Sequence, residues 1–114
     1  MKFATLIVSF LIVIAVLIPG PNLPDVSIGG FDKVVHIAMF GLWAVAVQYD
    51  FRTRKVTFWA FILTGILFSV ITELLQLLVE GRSFDLYDMV ADLIGLVSGF
   101  FLGGKIVQLL RKTR

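Results

Sequence analysis

Four long apolar runs, parted by short polar breaks, leave this chain few ways to fold. They are FATLIVSFLIVIAVLI (3–18), FDKVVHIAMFGLWAVAVQY (31–49), VTFWAFILTGILFSVITELLQLLV (56–79) and DLYDMVADLIGLVSGFFLGGKIVQ (85–108). The breaks after the first three are PGPNLPD, DFRTRK and EGRSF. A hydrocarbon core of about 30 Å takes roughly 20 helical residues, with about 17–25 tolerated. The last three runs reach that length, and the first, at sixteen residues, is short. Inside lipid every backbone N–H and C=O needs an internal partner, so only helices or closed barrels cross it. Runs this long and unbroken suit helices. The expected fold is all-α, an integral membrane four-helix bundle in a single domain over 1–114. Its helices are expected at about 3–19, 31–49, 56–79 and 85–108.

Composition agrees. The chain is 59% hydrophobic and 16% charged, whereas soluble domains are about half apolar and about a quarter charged. Cysteine is absent, which excludes a disulfide framework and a thiolate metal site. A net charge of +2, with no Lys/Arg block interleaved with aromatics, argues against nucleic acid as a partner. The first run follows Lys2 as a signal peptide would. It is longer than the usual apolar segment of roughly 7–15 residues, and Pro19-Gly20-Pro21 follows it in place of a small-residue cleavage site. An uncleaved first helix is expected.

Orientation follows from the bias of Lys and Arg among short loops. With the N-terminus, the 50–55 loop and the C-terminal tail on one side, that side holds Lys2, Arg52, Arg54, Lys55, Lys105, Arg111, Lys112 and Arg114, against Asp50 alone. The other side holds Lys33 and Arg82 with the seven remaining acids. Both termini are therefore expected on the cytoplasmic side of the membrane. This arrangement brings Asp32, Lys33 and His36 of the second helix, Glu73, Gln76 and Glu80 of the third, and Asp85, Asp88 and Asp92 of the fourth to one level, the outer leaflet.

The faces match as well. At 100° per residue, Asp85, Asp88, Asp92, Gly95, Gly99 and Gly103 fall within about an 80° arc. Gly65, Ser69, Thr72, Glu73, Gln76 and Glu80 fall within about 100° on the third helix. Each helix carries a stripe of small residues that turns acidic toward its outer end. GLVSGFFLG (95–103) reads as a small-xxx-small seam for close helix approach, so the acids should face neighbouring helices.

A charge at the bilayer centre costs about 2.5–3.5 kcal/mol on insertion scales, so buried acids there need partners, water or protons. Some of these residues have ordinary explanations. Asp85 and Asp32 suit helix caps, Lys33 and Lys105 suit snorkelling, and Ser69 and Thr72 suit hydrogen bonds to their own helix or a neighbour. Trp59 suits an interfacial anchor. Glu73, Gln76, Asp88 and Asp92 lie a turn or more inside and fit such explanations less well. Glu73, with His36 as partner, is the candidate general acid or base. Lys33, Gln76, Arg82, Asp85, Asp88 and Asp92 are the candidate ligand-binding residues, with Arg82 the natural carboxylate or phosphate clamp. His36, Glu73 and two aspartates would suit a hard or borderline cation. No HExxH, second histidine or glycine-rich loop accompanies them, so no cofactor is expected and the metal question stays open.

Taken in order, Asp32-Lys33-x-x-His36-x-x-x-Phe40, Glu73-x-x-Gln76 and Gly81-Arg82-Ser83-x-Asp85-x-x-Asp88-x-x-x-Asp92-x-x-Gly95-x-x-x-Gly99 resemble the VanZ-like family of bacterial membrane proteins over roughly residues 31–103. The chain departs from the family's habit at Phe40, where an aromatic hydroxyl is common, and at Asp92, where an amide is common. The resemblance implies a cell-envelope role linked to resistance to the glycopeptide teicoplanin, which acts on lipid-linked cell-wall precursors outside the membrane. A membrane lipid or such a precursor is the expected partner, and four short helices enclose so little volume that a homodimer is admissible. The leading function is a site for an amphipathic ligand, with catalysis on a lipid-linked substrate as its sharper form. A small proton-coupled drug transporter and a structural scaffold are the alternatives.

Overall fold

The computed structural model describes residues 3–17, 31–53, 57–79 and 86–112. Among them are four helices and no strand: α1 Phe3–Val16, α2 Phe31–Asp50, α3 Phe58–Gln76 and α4 Leu86–Lys112. Helices α3 and α4 are long and apolar enough to cross a membrane, while α1 is a shorter apolar helix.

Three helix ends differ by three residues or more from the sequence reading, and the first is that of α1, which closes at Val16. Helix α3 closes at Gln76, and the chain then tightens into turns in which Leu77, Leu78 and Val79 donate to carbonyls three residues back at 3.1–3.2 Å. Such i→i−3 bonds are a common way to satisfy the last carbonyls of a helix. Helix α4 runs to Lys112, four residues past the expected end. Leu109, Leu110, Arg111 and Lys112 are good helix formers, and cations suit the negative end of the helix dipole.

Helices α2 and α4 form the central pair, with α1 packed on α2, α3 on α4, and a smaller contact between α1 and α3. Glycine makes the central pair possible. A Cβ on Gly95 would collide with the carbonyl oxygen of Ile37, and one on Gly99 with the carbonyl oxygen of Gly41 and the Cβ of Ala44. The expected small-residue seam of α4 is therefore where the α2 backbone lies. Alongside it the Gln48 amide donates to the Phe100 carbonyl at 2.9 Å.

Beside this seam the core is aromatic. Trp43 stacks near Phe61 and Phe68, with ring centroids 5.7 and 5.5 Å apart, and Phe100 lies 5.0 Å from Phe61. Ile12 and Val16 of α1 close this cluster. Polar contacts from Trp43 and Asp50 tie helix α1 down. The Trp43 indole donates to the Ser9 hydroxyl at 2.9 Å. The Asp50 carboxylate accepts from the backbone N–H groups of Thr5 at 2.7 Å and Ala4 at 3.3 Å. Asp50 thus caps the first turn of a helix 45 residues away in sequence, where orphan amides and the positive dipole end favour an anion. Burial pushes the Asp50 carboxyl up, but these backbone hydrogen bonds outweigh it and hold it below its ordinary value.

Candidate functional site

The inward face of α3 is polar at one end. Gly65, Ser69, Thr72, Glu73 and Gln76 are all buried, while Leu63, Leu67, Leu74 and Leu78 are exposed. The same inversion holds on α4, where Asp88, Asp92, Gly95, Gly99 and Gly103 are buried and Tyr87, Val90, Ile94 and Phe101 point outward. Both stripes read from the sequence therefore turn into the protein. The glycines bring α4 against α2 so closely that Asp88 and Asp92 meet the side chains of Lys33 and His36, one turn apart on α2.

The contacts form a chain across three helices. Lys33 Nζ donates to Asp88 Oδ1 at 2.5 Å. The other Asp88 oxygen lies 3.6 Å from His36 Nε2. His36 Nδ1 lies 2.7 Å from Asp92 Oδ1, and Ser69 donates its hydroxyl proton to Asp92 Oδ2 at 2.6 Å. Asp92 thus uses both oxygens, one toward α2 and one toward α3. Thr72 bonds its own helix, donating to the Ser69 carbonyl at 2.8 Å. Glu73 and Asp92 are 0% exposed and His36 is 2% exposed. Each of the three offers a donor atom within 4.8 Å of the others. Lys33, with its side chain 31% exposed, is the member of this group nearest the surface.

Of the eight residues singled out in the sequence, Lys33, His36, Glu73, Asp88 and Asp92 come together in this one cluster. Gln76 is buried on the same face of α3, one turn beyond Thr72 and Glu73. Arg82 and Asp85 lie outside the described residues, as do Glu80 and the side chain of Asp32. His36 makes a 2.7 Å contact with Asp92, and Glu73 belongs to the same cluster, with one atom of each of the three within 4.8 Å of the others. Of the two partners that suit Ser69, its own helix or a neighbour, it takes the neighbour, and that choice depends on how α3 and α4 face each other.

A buried cluster of this kind can hold a proton between carboxylates, grip a cation, or present hydrogen-bonding groups to a bound headgroup. Next to it, α3 and α4 leave a groove of about 360 Å³, lined by Ile66, Ser69, Met89, Val90, Leu93 and Leu96.

These features define an all-α protein with apolar outward faces and a buried polar cluster shared by three of its helices. The sequence model of the VanZ/LLP1 family matches residues 2–107, and the chain belongs to that family. No curated protein and no solved structure matches it significantly.

Proposed function

We propose that this VanZ-like protein is a multi-pass protein of the bacterial cytoplasmic membrane, with both termini inside, that binds an amphipathic, lipid-linked ligand at its outer leaflet. The outward faces of α3 and α4 are built mainly of large apolar side chains, while Ser69, Thr72, Glu73, Gln76, Asp88 and Asp92 turn inward, the reverse of a soluble bundle. The molecule measures 47 Å along its long axis, similar to the roughly 40–45 Å of a bilayer with its headgroup regions.

The observation that carries the ligand reading is Ser69. Its side chain belongs both to the apolar groove and, through its bond to Asp92, to the polar cluster. A tail lying between α3 and α4 would bring an attached headgroup to Lys33, His36, Glu73 and Asp88. A groove of this size falls within the roughly 300–1,000 Å³ of small-molecule sites. Lys33 would meet a phosphate or carboxylate, and the carboxylates would meet hydroxyls or amines. The catalytic form of this reading has Glu73 moving a proton on the bound headgroup. The link to teicoplanin resistance rests on the family resemblance.

Native mass spectrometry of protein in lipid nanodiscs tests the site. A polyprenyl-diphosphate-linked cell-wall precursor should be retained in preference to phosphatidylglycerol. Lys33→Ala and Leu93→Trp should each weaken retention roughly tenfold, about 1.4 kcal/mol. Equal retention of the two lipids by the unaltered protein would overturn the reading. The chain has no native cysteine, so orientation is testable by labelling Ser83→Cys and Thr53→Cys with an impermeant maleimide on intact cells. Only Ser83→Cys should react.

A further inference from the structure

We propose that His36, Glu73 and Asp92 bind a divalent metal ion of the Zn²⁺ or Mn²⁺ type. The proposal goes beyond the amphiphile reading and does not rest on it, since its readout is bound metal.

Three different helices each contribute one ligand: His36 from α2, Glu73 from α3 and Asp92 from α4. All three are buried, and their donor atoms lie within 4.8 Å of one another. Donors around an ion bound at about 2.0–2.2 Å sit roughly 3–4.3 Å apart. Binding would draw the Glu73 carboxylate inward and part the 2.7 Å His36–Asp92 contact to that spacing. One imidazole nitrogen with carboxylate oxygens selects a borderline divalent ion over a soft one, which would want thiolates, and the chain has no cysteine.

The surroundings fit as well. Metal-binding histidines commonly turn their second ring nitrogen to a carboxylate, which fixes the ring and its tautomer. His36 presents Nδ1 to Asp92 and Nε2 to Asp88, and Lys33 holds Asp88 from the far side. Ser69 fixes the second oxygen of Asp92. The other oxygen of Asp92 meets Nδ1 of His36, and the Glu73 carboxylate belongs to the same 4.8 Å group. In this arrangement the 2.7 Å contact between His36 and Asp92 marks the place where the ion would replace a shared proton.

The test uses full-length protein without a polyhistidine tag, stripped with chelator and dialysed against Mn²⁺ or Zn²⁺. Elemental analysis should find one ion per chain. The sequence contains a single histidine, so pulsed electron paramagnetic resonance of the Mn²⁺ form should show one imidazole-nitrogen coupling, and that coupling can come only from His36. Glu73→Gln and Asp92→Asn should each weaken binding by more than tenfold. Asp88→Asn, acting through the histidine, should weaken it about 10–100-fold. Ion content well below one per chain would overturn the proposal. So would bound Mn²⁺ without nitrogen coupling, the sign of an adventitious ion on surface carboxylates. Both readouts are taken on the unaltered chain and do not depend on how well any variant folds.

Discussion

The two ends of this bundle are held together by opposite means. At one end Trp43, Phe58, Phe61 and Phe100 pack ring against ring. At the other end Lys33, His36, Asp88, Asp92 and Ser69 link three helices through hydrogen bonds and ion pairs. Apolar packing is stabilising by itself. Burying charge is not, because the desolvation penalty rivals the attraction gained, and a well-packed apolar replacement is often neutral or better. The aromatic end supplies close packing among the helices. The polar end is the part that stability alone does not require, and that contrast makes it the functional candidate.

The contrast can be broken most severely at the seam that both ends share. Gly99→Val drives a side chain into the α2 backbone at Gly41. Overpacking costs typically about 1–3 kcal/mol and more where backbone must move, so this variant should fail to give monodisperse protein on size-exclusion chromatography. At the aromatic end, Phe61→Ala should lower stability by about 3–5 kcal/mol in a thermal melt while leaving ligand and metal binding by the folded fraction unchanged.

The polar end should answer in the opposite way. Removing one partner with His36→Leu leaves Asp92 buried beside an apolar group and should cost about 3–5 kcal/mol. The double variant His36→Leu/Asp92→Leu should recover most of that stability and still bind neither ligand nor metal. A double variant as unstable as the single one would mean that the cluster is structural, and the contrast between the two ends would vanish.

The smallest effects concern α1. Asp50→Asn should cost about 1 kcal/mol, the usual value of a lost cap. Because the folded-state Asp50 carboxyl lies below the ordinary 3.8, its contribution is fully present above that value and fades as pH falls through the folded one. The acid limb of a pH–stability profile should therefore flatten in Asp50→Asn. Trp43→Phe, which removes the bond to Ser9, should cost about 0.6 kcal/mol, the average for such bonds within membranes.

Much of this was legible beforehand because it depends on periodicity. The 100° step between helical residues put Ser69, Thr72, Glu73 and Gln76 on one face and Asp88, Asp92, Gly95 and Gly99 on another, and both faces are buried. The end of α3 was less legible, since no proline or glycine marks the change from i→i−4 to i→i−3 bonding after Gln76. Asp50 was read as a lone acid on a basic side. Its partners are amides of Thr5 and Ala4, and backbone amides leave no trace in a side-chain pattern.

The sequence by itself determined four helices, which face of α3 and α4 turns inward, and the glycines that let α4 approach a neighbour. Those properties follow from local geometry and from the high cost of leaving polar groups in an apolar medium. Only the tertiary structure decided who meets whom: that α2 is the helix lying on the glycine seam, that His36 is shared between Asp88 and Asp92, and that Ser69 joins the groove to the cluster. Pairing between helices depends on register and rotation, which are settled when side chains from distant parts of the chain interlock. A single chain's periodicity does not encode that choice.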